Sequence, residues 1–302
     1  MFIMKIKITT TLLFLWVLAA LAGQPIAPKT ISAGLVTISY VSADSQYARS
    51  AAQVLAYAYE EVTFDLQVVN RDTLRVIIAP SRKKFLEYTR GQLPKWTGAF
   101  ATPGSRTMVV KSPRWDREGK DFSGVLVHEL VHLLIHEKVR GRPVPRWLDE
   151  GLAIFYSGEK RWRTMTALSK AAATNSLIPL QDIDWVLRFN RVKAELAYQE
   201  SYSAVQYLLS VYDIDAIRII LDGIRKGRNM DESFRAATGS TFREFEREWQ
   251  QYAKKTFKWF WLSDINDFFW VFILVLAVLA AIVIRIRNRR KVHEWEEWGE
   301  GE

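Results

Sequence analysis

His128-Glu129-Leu130-Val131-His132 places two imidazoles four residues apart, with a carboxylate beside the first. On a helix, residues i and i+4 share a face. Both rings can then reach one metal ion, and the glutamate can stand next to a water bound there. Zinc hydrolases use this set: two histidines of one helix hold the ion and the glutamate acts as general base. Three of the chain's four histidines (His128, His132 and His136) fall within nine residues. The motif is embedded among Val125, Leu126, Val127, Leu130, Val131, Leu133, Leu134 and Ile135, so its helix is apolar nearly all round and reads as buried. Polar groups taken out of water need compensating bonds. A metal ion supplies that compensation; the alternative is a pair of core histidines bonded to backbone carbonyls.

A second element strengthens the metal reading. Eighteen positions after His132 stands Glu150, within Trp147-Leu148-Asp149-Glu150-Gly151-Leu152-Ala153. Gly141-Arg142-Pro143-Val144-Pro145 forces a turn between the two segments, so a second helix can fold back and offer Glu150 as an oxygen ligand. Two histidines and one glutamate leave the fourth tetrahedral position to water, the pattern of catalytic rather than structural zinc. The expectation is one Zn2+ per chain, held by His128, His132 and Glu150, with Glu129 as general base. His136, two turns from His128, is too far along the axis to complete a compact site. A metzincin pattern would need Gly at 135 and His at 138, where this chain has Ile135 and Lys138.

His-Glu-x-x-His followed by Trp-Leu-x-Glu-Gly-Leu-Ala resembles the gluzincin metallopeptidases, in particular the peptidase MA-like domain family. The resemblance covers about Val36 to Lys255. It includes Ala197-Tyr198-Gln199-Glu200-Ser201-Tyr202-Ser203 and Phe242-Arg243-Glu244-Phe245-Glu246-Arg247-Glu248-Trp249, which look like the family's helical C-terminal part. It implies the same zinc ligands and base, and hydrolysis of a peptide or protein substrate. Zinc lowers the pKa of its water, and the base takes the proton and later returns it to the leaving amine. A further donor to the developing oxyanion is a tyrosine or histidine of the helical half in related gluzincins. Tyr198 and Tyr202, one turn apart, are the candidates, and either can equally be a packed helix tyrosine. Asp149 is placed to orient a ligand histidine, whereas Ile154 stands one turn past Glu150, where some gluzincins carry a carboxylate. The resemblance does not tell catalysis from a non-catalytic zincin-fold protein that binds peptides or assembles an envelope.

The elements that must position these residues follow from pattern. Strands are expected at Leu35–Val41 and Leu74–Ala79. A hairpin is expected from 98–102 and 107–111 around Pro103-Gly104-Ser105. Helices are expected at Ser45–Val62, with Asp44 as N-cap, and at Ser81–Thr89. From the metal helix onward the pattern is helical: Trp147–Tyr156, Trp162–Thr174, Leu196–Val211, Ile214–Lys226, Met230–Ala237 and Thr241–Lys255. Strands first and helices afterwards make an α+β, zincin-like domain with the metal helix at the join. The hairpin strand 107–111 is expected at the sheet edge, where an extended substrate could pair with it.

With 302 residues the chain is long enough for one catalytic domain and accessory segments. It has no cysteine, which excludes disulfides, thiolate ligands and a cysteine nucleophile. The net charge of +9 is read as membrane topology rather than nucleic-acid binding, because Arg285, Arg287, Arg289, Arg290 and Lys291 cluster after an uncharged run, Phe268–Ile284. That run, with Trp259, Trp261 and Trp270 at its leading edge, is expected to span a bilayer. Lys5 and Lys7 before an apolar stretch mark a signal peptide or an uncleaved anchor. The expected organisation is a signal or anchor at 1–23 and a gluzincin-like peptidase domain at 30–257. That domain divides into an α/β part at about 30–140 and a helical part at about 146–257. A transmembrane helix at 266–285 and a cytoplasmic tail at 286–302 follow. This implies a single-pass protein of the cytoplasmic membrane, or a two-pass one if the N-terminal segment stays uncleaved. The lipid bilayer is then a partner, the site lies on the outer side of a bacterial envelope, and the oligomeric state is open.

Overall fold

The computed structural model describes residues 27–69, 72–90, 98–102, 104–116, 121–159, 165–258 and 266–299. The N-terminal segment 1–23, expected as signal or anchor, lies outside them. The first half is a five-stranded sheet in the order β1-β2-β3-β5-β4. Strands β1 (Lys29–Ala33) and β2 (Val36–Tyr40) form an antiparallel pair. Gly34 takes a left-handed φ of 56° in the turn between them. β3 (Leu74–Ala79) runs parallel to β2, and β5 (Thr107–Lys111) parallel to β3. β4 (Ala99–Thr102) closes the sheet antiparallel to β5.

The alternation of each strand decides what covers it. Val36, Ile38, Leu74, Val76, Ile78, Met108 and Val110 join one core. Helix α1 (Ser45–Leu66) packs into that core through Ala48, Ala51, Ala52, Leu55, Ala58, Val62 and Leu66, an i, i+3, i+4 stripe of mostly small side chains. The opposite face carries a smaller cluster, Ala79, Phe85 and Val109 with Ile77 and Trp115, beneath α2 (Arg82–Tyr88).

The helical half begins with α3 (Phe122–Lys138) and α4 (Arg146–Ser157), followed by α5 (Thr166–Thr174), a 3-10 helix (Leu180–Arg188), α6 (Arg191–Arg225), α7 (Met230–Thr238) and α8 (Phe242–Phe257). Helices α7 and α8 each start with a capping box, Asn229 with Glu232 and Thr241 with Glu244. Trp147 of α4 is fully buried against Phe234 of α7 and Phe242 and Phe245 of α8, so these two helices are clamped against the start of α4.

Several expectations are corrected. β1 is an additional strand. Asp44 precedes α1 but makes no cap bond with its side chain; its carboxylate is taken by Ser112 Oγ at 2.6 Å and Arg114 Nε at 2.6 Å. Strand 107–111 is not at the edge, because β3 occupies its other side; the edge is β4. The two helices expected around 196–211 and 214–226 are both present: the stretch Arg191–Arg225 is two helices that meet at the non-helical Asp213 (φ 63°, ψ 179°), and the first begins earlier than expected, at Arg191.

The expected membrane span is overturned. Among the described residues no helix is long and apolar enough to cross a membrane. The uncharged run Phe268–Ile284 lies in α9 (Asn266–Gly299). Its seventeen residues make only about 25 Å of helix, at ~1.5 Å per residue, against a hydrocarbon core of about 30 Å. The same helix continues without a break into the arginine cluster. The fold class is therefore corrected to a mixed α+β fold with no membrane-spanning helix among the described residues, and the single-pass localisation is not supported.

Candidate metal centre

Helix α3 starts at Asp121, whose carboxylate accepts from Ser123 N at 3.1 Å, and ends with His136 and Lys138 in its last turn, where cations suit the helix dipole. Leu126, Val127, Leu130, Val131, Leu133, Leu134 and Ile135 are buried around it. His128 and His132 stand on one face, their ring centroids 4.8 Å apart. The chain then turns through Arg140 and Gly141, both at positive φ, and Pro145 starts α4.

This turn brings Glu150 to the histidines. Its Oε2 lies 3.4 Å from His128 Nε2 and 3.6 Å from His132 Nε2. Its Oε1 accepts from Arg146 Nη1 at 2.9 Å, one turn back on α4. One ligand atom from each of His128, His132 and Glu150 lies within 4.8 Å of the others. The outer ring nitrogens face further carboxylates: His132 Nδ1 is 2.9 Å from Asp149 Oδ1, and His128 Nδ1 is 3.1 Å from Glu159 Oε2. A carboxylate at Nδ1 holds the proton there and turns the Nε2 lone pair towards Glu150.

The close approach of α4 to α6 depends on one glycine. A Cβ at position 151 would stand 2.4 Å from Ser201 O and 2.6 Å from Val205 Cγ2. Only Gly151 lets the helix that carries Glu150 lie this close to α6.

The electrostatics fit a cation. Asp149, Glu150 and Glu159 surround two imidazoles, and the guanidinium of Arg146 is bonded to Glu150. With neutral histidines, the carboxylates outnumber the one guanidinium even before Glu129 is included, and the excess negative charge suits a cation. Burial opposes charge on both rings, yet Glu150 and Glu159 raise His128 well above its ordinary value, and Asp149 raises His132. Burial would push Glu150 up, but the bond from His128 and the charges of His132, His128 and Arg146 hold it down to about 2. The pocket thus draws positive charge to the ring nitrogens.

Glu129 is half-buried on the same helix, and burial raises its carboxyl above the usual range, opposed by the charges of His132 and His128. Its carboxylate accepts a hydrogen bond from the backbone N–H of Ala101 on the edge strand β4. Tyr202 of α6 is buried at 4% exposure, and Tyr198, one turn earlier, is half-buried against the same core. His136 is not part of the ligand grouping found among the described residues; its ring lies against Gly141. Glu159 was not anticipated from the sequence. Its one signal is the preceding Gly158, which ends α4 in the left-handed conformation.

Comparison with protein families matches residues 92–255 to the peptidase MA superfamily, more than half of the chain and inclusive of every residue of the site. That match carries with it a metallopeptidase-like function and points to a peptide or protein substrate. Comparison with curated proteins returns no match.

Proposed function

The chain belongs to the peptidase MA superfamily, and we propose that it is a zinc-dependent metallopeptidase with its peptidase domain at about 30–257. The observation that carries this reading is the convergence of His128, His132 and Glu150 in a pocket with an excess of carboxylates. Two nitrogens and one carboxylate oxygen suit zinc and leave a coordination position open. The ion, when bound, supplies Lewis acidity and makes a water acidic enough to be a nucleophile near neutral pH.

The chain's own residues do the rest. Glu129 accepts the proton from the attacking water and returns it to the leaving amine. Its raised pKa moves it towards the operating pH, where a general base is most effective, and the Ala101 N–H fixes its orientation. An extended peptide pairs along the outer edge of β4, Ala99–Thr102, next to that base. Tyr198, the more exposed of the two tyrosines, donates to the developing oxyanion. Tyr202, one turn on, is buried in the core.

The test is Glu129→Gln in the full chain, with zinc content and hydrolysis of a peptide library measured together. The variant should keep zinc and lose turnover. A wild-type chain that binds no zinc, or a variant that cleaves as fast as wild type, would refute the proposal. Stoichiometric zinc without turnover in the wild type would instead favour the non-catalytic binding protein.

A further inference from the structure

We propose that Glu159 is the positioning residue of His128, a carboxylate delivered from beyond the end of α4 rather than from the helix that carries the third ligand. The inference rests on the metal reading above.

Helix α4 serves His132 locally, because Asp149 neighbours Glu150 and faces His132 Nδ1 at 2.9 Å. It has no equivalent for His128. The position one turn past Glu150 holds Ile154, fully buried in the core and without a polar atom to offer. The partner comes from nine residues downstream. Gly158 closes the helix with its N–H on Ile154 O at 3.1 Å and takes φ 65°, ψ 20°. This left-handed step, which a side chain rarely adopts, reverses the chain towards α3. Glu159 Oε2 then lies 3.1 Å from His128 Nδ1, with its side chain 19% exposed.

A second glycine makes room. Gly124, one turn before His128, has no Cβ; one placed there would stand 3.3 Å from Glu159 Cγ and 3.1 Å from Asp121 Oδ2. Two glycines on separate elements thus serve a single contact, Gly158 by aiming the chain and Gly124 by opening a notch for the side chain. The contact fixes the rotation of the His128 ring and the nitrogen that carries its proton. Partners of this kind are worth roughly 10–100-fold in metal affinity.

The experiment uses the purified full chain and zinc alone as ligand. Zinc affinity is measured by competition with a chromophoric chelator, and ligand geometry by the visible spectrum of the cobalt-substituted protein. Glu159→Ala should bind zinc roughly 10–100-fold more weakly and shift the cobalt bands, with the melting point of the metal-free protein unchanged. Glu159→Gln keeps an acceptor oxygen and should recover most of the affinity and the wild-type spectrum. If the alanine variant folds poorly, Gly158→Ala decides the matter. Gly158→Ala should weaken zinc binding in the same direction without touching a ligand. If wild type binds zinc and Glu159→Ala and Gly158→Ala bind it within about twofold of wild type, the positioning role is wrong and the metal reading stands. If wild type binds none, both fail.

Discussion

Gly151→Ala tests whether the third ligand is held in place by helix packing. The added Cβ would lie 2.4 Å from Ser201 O, 2.9 Å from Ser201 C and 2.6 Å from Val205 Cγ2. Non-bonded carbon contacts are comfortable at roughly 3.5–4.0 Å, so α4 and α6 must part by about 1 Å. Ser201 O is backbone within α6, and a β-branched valine in a helix has essentially one rotamer, so neither neighbour can swing aside. Overpacking of this kind costs about 1–3 kcal/mol, and the upper end is expected here. At about 2–4 °C per kcal/mol for a domain of this size, the melting point should fall by roughly 6–12 °C. A displacement of α4 also carries Glu150 away from His128 and His132, so zinc affinity should fall as well. Gly223→Ala is the control. Its Cβ would stand 2.4 Å from Ser233 Oγ, at the α6–α7 contact, away from the ligands, so it should lower the melting point and leave zinc binding intact. Thermal unfolding of the metal-free proteins and zinc competition on the same samples separate the two effects. If Gly151→Ala melts within about 2 °C of wild type, the packing argument fails, since that shift is worth under about 1 kcal/mol. If it melts low but binds zinc like wild type, Glu150 is not positioned by this contact.

Three further predictions address charge. Zinc affinity should weaken as pH falls through the raised values of His128 and His132, because protons then occupy the ligand nitrogens; an affinity equal at pH 6 and pH 8 would count against these ligands. Glu200 is fully buried, and burial raises its pKa well above the usual value. The unfolded chain therefore gives up this proton at lower pH than the folded one, and stability falls as pH rises above the ordinary carboxylate range. Glu200→Gln can still accept from Ile178 N and should flatten the decline in melting point with pH; an unchanged slope would refute this. Arg106→Leu removes a partner of Glu137, bonded at 2.7 Å with both side chains largely buried, and the donor to the Tyr59 hydroxyl. Chemical denaturation should register a loss of about 3–5 kcal/mol, and a loss below 1 kcal/mol would show that the pair is not structural.

What could be read from the sequence, and what could not, divides along a physical line. His128 and His132 are tied together by the 3.6-residue period of a single helix, so spacing alone placed them on one face. Glu150 needed one more local fact, the Gly and Pro residues at 141–145 that force the chain to turn back. Glu159 was out of reach of such reasoning, because its distance from Glu150 spans a helix end and periodicity carries no phase across a left-handed residue. The hairpin shows the same boundary. The turn residues at 103–105 announced two paired strands, but which of them lies at the edge depends on β3, paired in parallel with β5 from across α2. A local pattern contains no such information, and 107–111 was given the place that belongs to β4. β1 was missed for a related reason: as the outer strand it buries little, and Ile31 is the one large apolar side chain in Lys29–Ala33. At 266–285 the composition of the run suggested a span, while its length and the unbroken helix into the arginines weigh against one. The grouping of His128, His132 and Glu150 follows from features local in the chain. The contacts that orient the site, Glu159 on His128 and Ala101 on Glu129, join separate elements, and only the folded arrangement brings them together.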